Sequence, residues 1–379
     1  MNVKVLVTGV GILTPLGDSP DRLWQALIKG QTAARAWPDL EAEGFRITTA
    51  CRIDDSARPD PKRGRKLAVR AASMAVRHAD LPLDGKIALF VGATMGESVA
   101  YEQAAEGKPL DLAQASIMAY PHAIQQALNI QGPQRAYATA CAAGNYALGA
   151  GIAAIRSGKA NAAIAGGVEP FSRIAMTGFS RSRAMAGDCC RPFDRDRSGM
   201  QLGEAAAFLV LESEARAYRR NVEPLACVES LGLSCDAYHP TAPLPDGQGM
   251  SRAMQQALYK AGIDATEVDW ICAHGSGTQA SDNAEAKAIE RLFPHQPHVS
   301  GYKGAIGHSL GAATAVEAVI TALALRHRVL PPTTNFRNAD PEFTLNIVQQ
   351  AETQPSLRWA LNCGYAFGGL NSALLMGAV

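Results

Sequence analysis

Cys141 lies in Tyr137-Ala-Thr-Ala-Cys141-Ala-Ala-Gly144, where a β-like run turns into a helix of small residues. A thiol on the first turn of a buried helix meets free backbone N–H groups and the positive end of the dipole, which would lower its pKa toward the reactive thiolate. Two histidines share this kind of setting. His274 opens His-Gly-Ser-Gly-Thr278 after the strand-like run Val268–Ala273, and His308 closes Lys303-Gly-Ala-Ile-Gly-His308 ahead of another small-residue helix. His78, His122, His295, His298 and His327 lack such a frame and read as core or surface groups.

One thiol and two imidazoles admit three chemistries. A zinc site would need closely spaced ligand pairs, which three separate turns do not supply. A Cys/His hydrolase would use one imidazole to hold the thiolate and leave the second idle. Acyl transfer that makes a carbon–carbon bond employs all three groups: the acyl group is parked on Cys141, and two neutral N–H donors steady the oxygen of a carbanion equivalent. The constellation favours condensation. Gly9-Val-Gly11 is a poor dinucleotide loop, because Thr14 stands where the fingerprint needs Gly and Pro15 follows.

The elements that must carry these groups read as α/β. Short apolar runs bounded by Gly (Lys4–Val7, Ile87–Val91, Ala162–Ala165, Ala206–Leu211) alternate with Ala-rich helical stretches at Lys66–His78, Ala142–Arg156, Gly249–Ala261 and Leu310–Arg326. The second and fourth helices are apolar nearly all round, which marks them as central. The halves echo each other. Cys141 and His308 each precede a Gly by three residues, and Ala162-Ala-Ile-Ala-Gly-Gly167 matches Trp359-Ala-Leu-Asn-Cys-Gly364. We read two degenerate copies of one unit, residues 1–213 with the thiol and 214–379 with both histidines.

Composition removes whole classes. Lys and Arg number 36 against 35 Asp and Glu, too even for a protein that neutralises many phosphates. With 47% hydrophobic and 19% charged residues among 379, the chain is globular. The weakly polar stretch Ser309 to Leu325 is interrupted by Glu317 and reads as too short and Ala-rich to span a bilayer, and Lys4–Val7 reads as a first strand, not a signal peptide. The eight cysteines show no C-x-x-C spacing, which suits neither a disulfide framework nor zinc and implies the cytoplasm.

Four segments together resemble the signatures of β-ketoacyl-acyl-carrier-protein synthases, the elongating Cys-His-His condensing enzymes: Thr139-Ala-Cys-Ala-Ala-Gly144, His274-Gly-Ser-Gly-Thr278, Lys303-Gly-Ala-Ile-Gly-His308 and Gly364-Tyr-Ala-Phe-Gly-Gly-Leu-Asn371. Arg191-Pro-Phe-Asp194, Ser234-Cys-Asp-Ala-Tyr-His239 and Asp282-Asn-Ala-Glu285 support the match, which runs through essentially the whole chain. The resemblance implies a thiolase fold, two halves packed as five α-β-α-β-α layers and paired in a dimer. It implies Cys141 as acyl acceptor, His274 and His308 as the pair that promotes malonyl decarboxylation, and Lys303 with Glu317 as a buried ion pair. Phe367 becomes the gating aromatic, its N–H completing the oxyanion hole with that of Cys141. Thr241, Ser276 and Thr278 become pantetheine contacts. No resident cofactor or metal is implied, since substrates ride on the phosphopantetheine arm of an acyl carrier protein.

Ala366 replaces the usual Gly before the gating Phe, and Gly304 the Ser after the lysine. These departures suit a specialised type II polyketide or polyene synthase as well as fatty-acid synthesis, acting as a homodimer or beside a chain-length factor. Because Gly reaches positive φ freely and Ala does not, Ala366 is expected to stiffen the gate. The basic run Lys62, Arg63, Arg65 and Lys66 is the expected dock for an acidic carrier. Two rival readings are a non-catalytic chain-length factor and a thiolase using Cys363 as a second thiol.

Overall fold

The computed structural model describes residues 3–53 and 60–379. The first half supplies β1 (Val5–Leu13), β2 (Ile87–Gly92), β3 (Gln134–Tyr137), β4 (Ala162–Glu169) and β5 (Ala205–Ser213), with helices α1 (Arg63–His78), α2 (Ala119–Leu128) and α3 (Ala143–Arg156). The second supplies β6 (Ala226–Cys235), β7 (Trp270–Cys272), β8 (His298–Ser300), the two-residue β9 (Asn346–Ile347), β10 (Trp359–Ala366) and β11 (Leu370–Gly377), with α4 (Gln248–Ala261), α5 (Gln279–Leu292) and α6 (Ala313–His327).

Both halves use one strand order, β3-β2-β4-β5-β1 and β8-β7-β10-β11-β6, with β9 added outside β8. Directions agree as well: β2 is parallel to β3 and β4, β7 to β8 and β10, while β5 and β11 run antiparallel to both neighbours. The halves join where Val5–Val7 of β1 pairs with Ala226–Val228 of β6. α3 and α6 each touch strands of both halves, α1 covers β1, β4 and β5 from outside, and α4 covers β6 and β11. The result is the five-layer thiolase arrangement.

The middle layer explains its sequence. α6 is buried from Ala313 to Leu325, and with both flanks covered by sheet no polar stripe is possible. The 18 residues Leu310–His327 are in fact long and apolar enough to cross a membrane by length and composition, contrary to the sequence reading, but 89% of them are buried inside the fold. α4 ends on Gly262, left-handed at φ 69°.

The internal repeat is offset from the one read in the sequence. Ala140 (φ 46°) and Leu310 (φ 42°), both left-handed without being glycine, open the short turns Ala140–Ala142 and Leu310–Ala312 that run into α3 and α6. Matching these elbows pairs Cys141 with Gly311, not with His308, which lies three residues earlier. The strand echo does hold: β4 and β10 occupy the same place in the two halves. A Cβ on Gly167 would lie 2.9 Å from Cα of Ala312, and one on Gly364 would lie 3.6 Å from Cα of Ala142.

A buried polar knot ties the halves together. The Asn145 backbone N–H donates to Thr314 Oγ1 at 2.9 Å, its side-chain amide donates to the Asn362 carbonyl, and Asn362 Nδ2 donates to the Thr314 carbonyl at 2.8 Å. One residue earlier, a Cβ on Gly144 would sit 2.5 Å from the backbone nitrogen of Ala315. Gly144→Ala should therefore push α3 from α6 and destabilise the fold by about 1–3 kcal/mol. Denaturant unfolding checks this, and an unchanged midpoint would show that the helices have room to spare.

Candidate active site

Elbows, strand ends and loops of both halves converge on one pocket of about 270 Å³, lined among others by Cys141, His274, His308, Thr241, Ser276, Thr278 and Phe367. Cys141 comes from the turn before α3, His274 from the end of β7, and His308 from the loop before α6. The imidazoles meet edge to face, with ring centroids 5.3 Å apart.

The protonation states follow from burial and one cation. Lys303, buried, donates from Nζ to Glu317 Oε1 at 2.5 Å and to the His274 carbonyl. Burial works to deprotonate it, but the Glu317 carboxylate more than reverses this and holds it charged. Burial, and then the Lys303 charge, push both imidazoles well below the usual histidine range, so both are neutral. His308 Nδ1 accepts the Leu310 backbone N–H at 3.1 Å, which leaves its proton on Nε2. His274 Nδ1 is buried with no partner among the described residues. The His274 and Gly275 backbone N–H groups are clasped by the Glu285 carboxylate at 2.7 and 2.8 Å.

Cys141 departs from the expectation of a depressed pKa. Its thiol is pushed up to about 12 because burial removes water from the thiolate, and the pull of Lys303 does not offset that loss. The helix-start position stands, but the resting nucleophile is a thiol.

The remaining residues divide. Phe367 is 42% exposed over the pocket and tilts against Phe179 at 5.6 Å. Ala366 is extended (φ −132°), so its methyl costs no strain in this conformation; Gly368 (φ 82°) and Gly369 (φ 70°) make the turn instead. Ser276 and Thr278 bond each other at 2.9 Å, and Ser276 also reaches Asp282, so both hydroxyls serve their own turn while facing the pocket. Thr241 Oγ1 lies 3.4 Å from His239 Nδ1. Cys363 is sealed in the core with Leu361 and Ala273 and does not reach the pocket, which removes the second thiol that a thiolase reading requires.

The basic run splits into two faces. Lys62 and Lys66 are exposed, whereas Arg63 pairs with the buried Glu204 and Arg65 with the buried Glu97, although Arg65 still lines a surface groove with the two lysines. Glu169 escaped the sequence reading altogether. It closes β4, accepting backbone N–H groups from Thr94, Met95 and Gly311 at 2.7–2.9 Å. A carboxylate ending the all-apolar run Ala162–Val168 was the available signal.

Carbon–carbon bond-forming acyl transfer employs the thiol and both neutral imidazoles, and together with the duplicated layers this defines the class as thiolase-type condensing enzymes. The chain belongs to the β-ketoacyl synthase family: the family's N-terminal domain matches residues 2–217 and its C-terminal domain residues 225–337. It is 34% identical to 3-oxoacyl-[acyl-carrier-protein] synthase 2 of Rhizobium meliloti (strain 1021), over 98% of each chain. It is 33% identical to nodulation protein E of the same organism, over 99% of each. The solved structure of the ishigamide ketosynthase/chain length factor covers all of both chains with a TM-score of 0.93 and 36% identity.

The split of the basic run can be measured. Arg63→Ala strands the fully buried Glu204 and should cost about 3–5 kcal/mol. Lys66→Ala removes only an exposed pair with Asp60 and should stay within about 1 kcal/mol. Urea unfolding of the two variants would reverse the assignment if Lys66→Ala proved the costlier.

Proposed function

We propose that this chain is the catalytic subunit of a carrier-dependent β-ketoacyl synthase. In the first stage Cys141 Sγ attacks the carbonyl of an acyl-carrier thioester, a neutral imidazole takes the thiol proton, and the departing pantetheine sulfur receives it. The backbone N–H groups of Cys141 and Phe367 face the developing oxyanion. In the second stage malonyl carrier loses carbon dioxide, and the imidazole N–H donors of His274 and His308 stabilise the resulting enolate. The enolate carbon attacks the acyl carbonyl, a new carbon–carbon bond forms, and the Cys141 sulfur leaves and regains a proton.

The observation that carries this reading is the pair of neutral imidazoles beside a buried thiol, their neutrality maintained by burial and Lys303. A charged imidazole would be a stronger donor, but a neutral one matches the pKa of an enolate more closely and can also take a proton from the thiol. The non-catalytic chain-length role is disfavoured by the presence of Cys141 in the pocket. The assigned partners are an acyl carrier protein and a second subunit, either another copy or a chain-length factor, as the relatives' names support. Thr241, Ser276 and Thr278 are assigned to the pantetheine arm and Phe367 to the gate. For docking we retain Lys62, Arg65 and Lys66, which line a surface groove with Val69 and Arg70. Eight cysteines, all free, support the cytoplasm as the compartment.

Cys141→Ala should abolish condensation, while Cys141→Gln should still decarboxylate malonyl carrier because both histidines remain. Intact-protein mass spectrometry and carbon dioxide release check the two halves, and near-normal condensation by the Ala variant would move the nucleophile elsewhere.

The role of Lys303 gives a pH test. Decarboxylation requires neutral imidazoles and fails as pH falls through their lowered pKa values. Lys303→Met removes a charge that depresses them, so the acid limb of the rate profile should move to higher pH. A limb that stayed in place would show that burial alone sets the imidazole charge.

A further inference from the structure

The two elbows stand in matching surroundings. The Ala93 N–H donates to the Tyr137 carbonyl at 3.0 Å, and the Ala273 N–H to the Ser300 carbonyl at 2.9 Å, so the residues that follow, Thr94 and His274, occupy the same place in the two halves. Glu169 and Ala366 likewise correspond, each lying two residues beyond the glycine that abuts its elbow. In one copy Cys141 is surrounded by His274 and Ala366 and opens to the pocket. In the other, Gly311 is surrounded by Thr94 and Glu169, and the Glu169 carboxylate fills the space.

Three backbone N–H groups converge on that carboxylate: Thr94 (2.7 Å) and Gly311 (2.9 Å) on Oε2, and Met95 (2.9 Å) on Oε1. The Gly311 N–H neighbours that of Leu310, the donor to His308 Nδ1. Leu310 itself is left-handed at φ 42°, a conformation that a β-carbon resists and that needs external support. Glu169 supplies support from the adjoining peptide.

We propose that Glu169 is a positioning residue for the condensing reaction: by clasping the Gly311 N–H together with the Thr94–Met95 turn, it locks the Leu310 elbow, and the locked elbow fixes His308 as the Nε2–H tautomer aimed at the enolate. This rests on the condensing-enzyme reading above. It concerns the second stage alone, because the Cys141 elbow belongs to the other copy and has Ala366 where this one has Glu169.

The isosteric Glu169→Gln offers an NH2 where one of the three N–H donors now points, so the elbow should loosen while the side-chain volume is kept. In the otherwise native chain, carbon dioxide release from malonyl carrier should fall at least tenfold, while iodoacetamide alkylation of Cys141, read on its peptide by mass, stays within threefold. Nitrogen-15 histidine spectra should show the single Nε2–H tautomer of His308 give way to a mixture, a readout that involves no substrate. Equal losses in alkylation and decarboxylation, or an unchanged tautomer, would make Glu169 a purely structural residue and overturn the proposal. If the Gln variant does not fold, Glu169→Asp, which keeps the charge one methylene short, should show the same split in milder form, and an even loss would likewise overturn it. If the native chain itself releases no carbon dioxide from malonyl carrier, the condensing reading fails instead, and the tautomer still tests the elbow.

Discussion

Where α3 and α6 touch, the backbones approach so closely that only hydrogen sits on Gly144, and the Asn145 N–H closes the contact on Thr314 Oγ1. Both elbows lie at the starts of these helices, so the contact sets how far apart Cys141 and the His308 loop can be. Buried amides that bond across the seam, Asn145 and Asn362, fix the register as well as the distance, because a slip of one residue would leave them unpaired in an apolar layer. The catalytic geometry is thus a property of how two copies of one unit meet.

Electrostatics adds the second constraint. The site buries Lys303 and gives it a carboxylate partner in Glu317, so that cation is not stranded. Its remaining influence falls on the neighbours: imidazoles stay neutral beside it, and the thiol is pulled part of the way back from the desolvated limit. A depressed thiol pKa would give a standing thiolate open to oxidation and alkylation. Here deprotonation belongs to the arrival of the substrate, when the thioester carbonyl provides somewhere for the charge to go.

The layers and the meeting of Cys141, His274 and His308 in one pocket are legible because they leave strong marks: helices apolar on every side, strands with Gly-Gly or Cys-Gly near their ends, and histidines after strands. The repeat offset was not legible. The equal spacing to Gly144 and Gly311 pairs Cys141 with His308, whereas the true landmarks are Ala140 and Leu310, ordinary residues in a left-handed conformation that composition does not announce. The thiol pKa was misread because the helix dipole is visible in a motif and the depth of burial is not. The basic run shows the same limit. The carboxylates it meets, Glu97 and Glu204, lie 32 and 141 residues away in sequence, so nothing local marks which of its cations pair with buried groups.

Duplication followed by divergence accounts for the asymmetry between the copies. An elbow of free N–H groups at a helix start attracts an anion in either copy. Where the anion is transient, as for a thioester oxygen in the first stage, the place must be left open, and Ala366 leaves it open. Where no anion is ever to bind, an open place would bury unsatisfied donors at about 1–3 kcal/mol each. A resident carboxylate answers that need, and it must come from the chain itself. Glu169 closes one copy of the site and Ala366 opens the other, so a single position in the repeat, the last residue of β4 and of β10, separates the structural half from the reactive one.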